Sequence, residues 1–338
     1  MPGTPSTFHR WLGMVAVASG LAMPDGASAS GGIALDRVPI PHQVHSRSAP
    51  LKNGKTALAE FDTAPFPYTG PVPLSSRPFL ETAMDGRRYR RTGRGQVLWE
   101  NETFSDRRVL LHLPPGFDAR RPGLMIVFLH GHGATLGDDV FARQKVPAQL
   151  AGANAVLVAP QFAVRASDSS SGKFWQPGAF ARFVGEAAGQ LARLHGDSKT
   201  VRSFASMPVV IVAYSGGYAP AAWSVHHGGL GKRLRGVVLF DALYGEVDKF
   251  ANWIAADSTR LFVSAYTSST RRGNDALRAK LTERQVTFAT SASIKSSAAK
   301  VVFVPSGSGS LHRDFVTFAW ADYPLADILE RLDGYARR

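Results

Sequence analysis

Short runs of apolar residues alternate with amphipathic segments along the chain after about residue 96. Continuous apolar runs of this length predict strands that are buried on both faces. The runs are LMIVFLH, NAVLVAPQ, PVVIVAYS, GVVLFDAL, RLFVSAYTS and KVVFVPSG. Residues 178–196 instead place apolar side chains at helical spacing and end at Gly196, which is typical of an amphipathic helix. Strands alternating with helices predict an α/β fold with a mostly parallel central sheet and helices on both faces.

Residues 96–338 are therefore predicted to form one α/β domain. Its first two strands, QVLWENETF and RRVLLHLPPGF, are predicted to be joined by a polar turn. DVFARQKVPAQLAGA (139–153) predicts a helix, and a last helix is expected from about Asp314 to Leu332.

Residues 30–95 differ in composition from this domain. They are rich in Pro, Ser and Arg, and prolines at 65, 67, 71, 73 and 78 oppose regular helices and interrupt strand pairing. We predict an extended N-terminal arm. The basic run GRRYRRTGRG (86–95) lies in this arm without a recognition helix, zinc finger or aromatic platform, so a solvated arm is favoured over nucleic-acid binding.

Residues 1–29 have the three-part pattern of a secretory signal peptide. A positive start (MPGTPSTFHR) precedes an apolar stretch (WLGMVAVASGLAM), and small residues at Ala27 and Ala29 predict cleavage after Ala29. No other segment reaches the length that a membrane span needs. The chain has no cysteine, which excludes disulfides and thiolate chemistry. For an exported chain, this composition favours a bacterial periplasmic or secreted location.

The formal net charge of +13 favours anionic surroundings. An anionic envelope surface is therefore an expected partner, and nucleic acid is not.

Polar residues of catalytic type follow four of the predicted strands. They are the HGHG sequence (130–133), Ser215, Asp241 and His312. Because the carboxyl ends of parallel strands meet at one edge of the sheet, we expect these residues to lie close together. A serine, a carboxylate and a histidine in that chain order predict nucleophilic catalysis by the serine.

This order and context resemble the α/β-hydrolase superfamily over residues 96–338. The resemblance centres on Ala213-Tyr214-Ser215-Gly216-Gly217, which departs from the usual G-x-S-x-G elbow only by the small residue Ala213. It implies a serine hydrolase similar to secreted bacterial esterases. Ser215 is then the nucleophile, His312 the base and Asp241 the acid, with Asp275 as the alternative acid.

The resemblance also implies an oxyanion hole formed by the backbone N–H of Gly216 and by the loop after LMIVFLH, where His132 is the expected backbone donor. His130, His132, Asp138 and Asp139 give a weak metal signal, but an oxyanion loop also accounts for the glycines. We therefore expect no metal and no cofactor.

Trp175, Tyr214, Tyr218 and Tyr244 are candidates to line a substrate pocket, although ordinary packing at its rim accounts for them equally well. The predicted function is hydrolysis of a carboxylic ester on a small molecule or a polymer fragment. Two alternatives stay open: an amidase or peptidase acting on cell-envelope material, and an envelope-binding protein without catalysis.

Overall fold

The computed structural model describes residues 49–294, 297–306 and 311–332, and the predicted signal peptide lies outside these residues. Strands in this part of the chain are β1 (Lys55–Glu60), β2 (Glu81–Thr82), β3 (Arg88–Arg91), β4 (Val97–Trp99), β5 (Arg108–Leu113), β6 (Leu124–Leu129), β7 (Ala155–Pro160), β8 (Val209–Tyr214), β9 (Leu234–Phe240), β10 (Leu261–Tyr266), β11 (Ala289–Thr290) and β12 (Val301–Pro305). The helices are α1 (Glu100–Thr103), α2 (Ala179–His195), α3 (Val201–Ser206), α4 (Tyr218–His227), α5 (Val247–Ala255), α6 (Arg271–Glu283) and α7 (Pro324–Glu330).

Nine strands form the central sheet in the order β1-β5-β7-β6-β8-β9-β10-β12-β11. Strand β5 pairs antiparallel with both of its neighbours, and every other pair in the sheet is parallel. The chain therefore has an α/β fold, and the prediction of a mostly parallel central sheet is confirmed.

The core lies on both faces of this sheet. Alternate residues of strand β8 pack into opposite layers: Val209, Ile211 and Ala213 contact the layer that contains α2, α4, α5 and α6, and Val210 and Val212 contact the layer that contains α7. This two-sided cover explains why β6 and β8 carry no charged residue and are buried at every position. It also leaves the carboxyl ends of the strands as the place where polar side chains gather.

The N-terminal segment is more integrated than an extended arm. Residues 55–60 form β1, which pairs along its length with β5 at one edge of the central sheet. Val97–Trp99 pairs with Arg88–Arg91 in a separate three-stranded sheet, so the predicted hairpin between QVLW and RRVLLHL does not form. The central sheet therefore includes residues that precede the predicted domain start at residue 96. The proline-rich residues 65–78 contain no strand. Aromatic packing, and not strand pairing, holds this stretch against the rest of the protein.

Aromatic side chains anchor this segment to the domain. Phe66 is fully buried, with its ring centroid 5.7 Å from that of Phe79 and 5.1 Å from that of Phe104.

We expect Phe66→Ala to lower the free energy of unfolding by about 3–5 kcal/mol, because it leaves a large cavity in a packed interior. Met84→Ala, at a fully exposed position of the same segment, is expected to change it by less than about 0.5 kcal/mol. Urea unfolding of both variants measures this, and equal small effects would mean that the segment is not part of the cooperative unit.

Two predicted helices are shorter or irregular. In place of the helix expected over residues 139–153 there are a π-helix (Leu136–Arg143) and a 3₁₀ turn (Pro147–Leu150), separated by a segment that contains Lys145 with φ +49°. The expected helix from Asp314 is reduced to α7, which begins with Pro324 after Tyr323 at φ +52°. None of the helices among the described residues is long and apolar enough to cross a bilayer.

Candidate active site

Ser215 lies at a strained turn between β8 and α4. Its φ is +52°, a left-handed conformation that non-glycine residues seldom adopt. The neighbouring glycines are required by space: a Cβ on Gly217 would lie 2.2 Å from the carbonyl oxygen of Leu129, and a Cβ on Gly131 would lie 2.8 Å from Cβ of Ser215. The turn is therefore a nucleophile elbow in geometry as well as in sequence.

The structure brings the predicted Ser, His and Asp together in one hydrogen-bonded line. Nε2 of His312 lies 2.9 Å from Oγ of Ser215, and its Nδ1 lies 2.6 Å from Oδ2 of Asp241. With the Nδ1–H donating to the carboxylate, Nε2 is free to accept the proton of the serine hydroxyl. Asp275, the alternative acid, instead pairs with Arg278 on the surface of α6.

Asp241 is fully buried and accepts hydrogen bonds from three side chains of the loop after β10. Its Oδ2 accepts from the hydroxyls of Thr267 (2.7 Å) and Ser269 (2.8 Å), and its Oδ1 accepts from the hydroxyl of Thr270 (2.5 Å) and the backbone N–H of Thr267 (2.9 Å). Burial alone would raise the pKa of Asp241, but the hydrogen bonds from His312, Thr270 and Thr267 hold it well below its usual range. The group is therefore a carboxylate throughout the physiological pH range.

Two side chains hold the backbone that carries His312. The hydroxyl of Tyr214 donates to the carbonyl of His312 (2.9 Å), and Nη1 of Arg143 donates to the carbonyl of Arg313 (3.0 Å). The Tyr214 ring also stacks on the imidazole, with centroids 5.2 Å apart. Burial raises the pKa of Tyr214 to about 12, so its hydroxyl keeps the proton that it donates. Tyr214 thus holds the base directly, and Arg143 holds the residue that follows it.

The predicted oxyanion residues lie beside the nucleophile. Gly216 and His132 line the same cavity as Ser215. A Cβ on Gly216 would lie 2.3 Å from Cδ2 of His132, so the imidazole lies directly over this glycine. The sequence indicated His132 through its backbone, and the structure adds a side chain that bonds to Ser169 (2.6 Å) and Ser167 (3.1 Å).

His130 supports the oxyanion loop from inside the protein. Its Nδ1–H donates to the carbonyl of Gly131 (2.8 Å), and its Nε2 accepts from the backbone N–H of Phe162 (2.9 Å) and the side-chain amide of Gln161 (2.9 Å). Burial lowers the pKa of His130 to about 4, although its bond to Gly131 opposes this shift. The ring is a neutral structural group and not a metal ligand. Within the described residues, no three His, Asp or Glu side chains are grouped as a metal site would need.

This pKa predicts a loss of stability in mild acid. An unfolded histidine binds a proton below about pH 6.5, whereas folded His130 stays neutral down to about pH 4. The unfolded state therefore binds more protons in that window, and the stability present above it is lost as the pH falls. We expect about 2 kcal/mol less unfolding free energy from this group at pH 5 than at pH 7. Urea unfolding measures the total, and NMR titration of the ring identifies the site. A midpoint near 6.5 for His130 would contradict the prediction.

A cavity of about 840 Å³ opens above Ser215. Tyr214, Tyr218 and Tyr244, the candidate pocket residues, lie in its wall. Sequence reasoning missed Arg143, Ser169 and Arg313, which also line it.

Trp175 does not line this cavity, because it packs edge-on against Tyr68 and Phe79 of the N-terminal segment, with ring centroids 5.5 Å away in each case. The neighbouring Phe174 is fully buried in the core. Since the partners of Trp175 come from a distant part of the chain, local sequence carries no signal for its packing.

No protein-family model matches the chain, and no curated protein sequence shows significant similarity to it. Some solved structures have a similar fold. A feruloyl esterase module from Clostridium thermocellum is 12% identical with a TM-score of 0.43, over 81% of this chain and 96% of the module. A ferulic acid esterase is 10% identical with a TM-score of 0.46, over 83% of this chain and 99% of the esterase. An S-formylglutathione hydrolase from Agrobacterium tumefaciens is 14% identical with a TM-score of 0.40, over 75% of this chain and 98% of the hydrolase. Identity and TM-score are both low, so the chemistry of this site is inferred from its own geometry.

Proposed function

We propose that the protein is a serine hydrolase that cleaves carboxylic esters through an acyl-enzyme. The observation that carries the proposal is the line of hydrogen bonds from Ser215 through His312 to the buried Asp241, which ends in an open cavity at the carboxyl edge of the sheet. A serine hydroxyl becomes a competent nucleophile when an adjacent base takes its proton and an acid holds that base.

The residues then act in sequence. His312 accepts the hydroxyl proton through Nε2 as Oγ of Ser215 attacks the ester carbonyl, and Asp241 stabilises the resulting imidazolium. The backbone N–H of Gly216 donates to the oxyanion of the tetrahedral intermediate. His312 then protonates the leaving alcohol, and a water that is activated by the same imidazole hydrolyses the acyl-enzyme.

The cavity supports a substrate of moderate size. About 840 Å³ is within the range of small-molecule sites, and three tyrosines lie in the wall. An ester of a small molecule or of a polymer fragment fits this space.

A panel of 4-nitrophenyl esters of increasing acyl length, beside the matching 4-nitroanilides, tests the reaction class. We expect turnover of the esters with a burst of nitrophenol equal to the enzyme concentration when deacylation is slow. Faster turnover of the anilides would favour the amidase or peptidase instead. If the folded protein turned over neither series and was not labelled by a phosphonate, it would be a binding protein.

We also propose that the protein is exported and acts in the bacterial periplasm or outside the cell. The support is the signal-peptide pattern of residues 1–29, and the net charge of +13 favours contact with an anionic envelope surface. The intact mass of protein from the periplasm or the culture medium tests this. A chain that begins at Ser30 is expected, and an uncleaved chain confined to the cytoplasm would contradict it.

A further inference from the structure

A second set of polar side chains lies beside the nucleophile and is not used by Ser215, His312 and Asp241. The imidazole of His132 lies between two hydroxyls, with Nε2 2.6 Å from Oγ of Ser169 and Nδ1 3.1 Å from Oγ of Ser167. The loop that carries both serines follows β7, so it comes from a different part of the sheet than the elbow.

The direction of these hydrogen bonds decides what Ser169 can do. Burial lowers the pKa of His132, and the nearby His312 lowers it further while Asp168 opposes the shift, so the ring is neutral at neutral pH. A neutral imidazole donates from one nitrogen and accepts at the other. When the Ser167 hydroxyl donates to Nδ1, the Nε2–H donates to Oγ of Ser169. The hydroxyl hydrogen of Ser169 is then free for a group in the cavity.

Ser169 is placed where such a donor would act on the reaction. It lines the cavity together with Ser215, Gly216 and His312. Its Oγ lies 3.0 Å from the position that a Cβ on Gly216 would occupy. Gly216 supplies the backbone N–H for the oxyanion in the proposed mechanism, so the hydroxyl lies beside the residue that carries that donor.

We propose that Ser169 is a further catalytic residue, whose hydroxyl donates to the oxyanion of the tetrahedral intermediate, and that His132 positions it. This inference rests on the proposed function. No covalent bond forms or breaks at Ser169: the hydroxyl keeps its proton and only stabilises the charge that develops on the substrate oxygen.

An ion pair from the N-terminal segment holds this loop in place. The carboxylate of Asp168, which lies between the two serines, accepts from Nε of Arg90 (3.0 Å) and from the backbone N–H of Ser170 (2.7 Å). The Asp168 side chain is only 7% exposed, and the Arg90 guanidinium stacks over Phe79 at 4.8 Å from the ring centroid. The sheet β2-β3-β4 therefore contributes to the geometry of the site through Arg90.

Ser169→Ala tests the proposal. We expect kcat for a 4-nitrophenyl ester to fall on the order of 10²-fold, the effect of losing one oxyanion donor, with KM within about twofold of the parent. Ser169→Thr, which keeps a hydroxyl, is expected to recover most of the loss. Ser203→Ala, on α3 and away from the cavity, is the control and should match the parent.

The affinity of a boronic acid inhibitor separates catalysis from a structural effect. Because the inhibitor forms a tetrahedral adduct, its Ki should rise in Ser169→Ala by the same factor as kcat/KM falls. A folded Ser169→Ala variant with kcat within twofold of the parent would overturn the proposal, and so would a loss that lies entirely in KM. Fluorophosphonate should still label Ser215 in this variant given enough time. Absence of labelling in the parent would mean that the proposed function itself is wrong.

A double-mutant cycle tests the positioning part. Asp168→Asn is expected to lower kcat about tenfold in the parent but less than twofold in the Ser169→Ala background, because coupled residues are not additive. An equal loss in both backgrounds would show that Asp168 does not act through Ser169.

Discussion

Ser215→Ala is expected to lower kcat for a 4-nitrophenyl ester by about 10⁵-fold or more, which leaves a rate close to background. The variant keeps His312, Asp241 and the oxyanion donors but has no oxygen to attack the carbonyl. The cavity is unchanged by the loss of one hydroxyl, so the variant should still bind substrate analogues.

Single-turnover and steady-state assays at matched protein concentration measure this loss. Ser203→Ala is the matched control, since the same substitution is made on a helix that does not contact the cavity. Thermal unfolding of Ser215→Ala should differ little from the parent, which excludes misfolding as the cause. Ester turnover by Ser215→Ala within tenfold of the parent would place the nucleophile elsewhere.

Asp241→Asn is expected to lower kcat about 10⁴-fold. An amide at this position cannot stabilise the imidazolium, and its NH₂ group favours the wrong tautomer of His312. Stability should fall as well, by about 1–3 kcal/mol, because the hydroxyls and the N–H that now donate to two carboxylate oxygens would face an NH₂ group on one side. Kinetics should be recorded where near-UV circular dichroism shows the variant to be folded.

Asp275→Asn is the matched control for the acid. Asp275 pairs with Arg278 on the exposed face of α6, so kcat should stay within about twofold of the parent. If Asp275→Asn lost activity and Asp241→Asn kept it, Asp275 would be the acid, which would contradict its place on the surface of α6.

Much of the site could be predicted because each group follows a strand that is buried on both faces. The runs VVIVAY before Ser215 and GVVLF before Asp241 carry no charged side chain, so both polar residues are conspicuous at the strand ends. Parallel pairing of β8 with β9 then places both at the same edge of the sheet. His312 was predicted by the same rule, although it lies several residues beyond β12.

The groups that support these residues carry no such signal. Thr267, Ser269 and Thr270 read as an ordinary polar loop, and their role appears only when β10 places them around Asp241. Arg143 was assigned to a helix, yet it holds the backbone of the His312 turn through a contact between distant parts of the chain. Tertiary contacts of this kind are fixed by packing and not by local pattern.

The N-terminal segment shows the same limit. Its prolines correctly exclude long strands over residues 65–78, but local composition does not reveal that Phe66 and Phe79 fill the core. The basic run at 86–95 likewise reads as a solvated arm, whereas Arg90 within it pairs with the nearly buried Asp168. Whether the carboxylate that pairs with an arginine is buried depends on the fold, and local composition does not show it.

The most direct test of the account is fluorophosphonate labelling of the purified protein, followed by intact mass and peptide mapping, with Ser215→Ala treated in parallel. We predict one adduct per parent chain, located on the peptide that contains Ser215, and no adduct on Ser215→Ala. An unlabelled parent that is demonstrably folded, or an adduct that persists in Ser215→Ala, would contradict the assignment of Ser215 as an activated nucleophile.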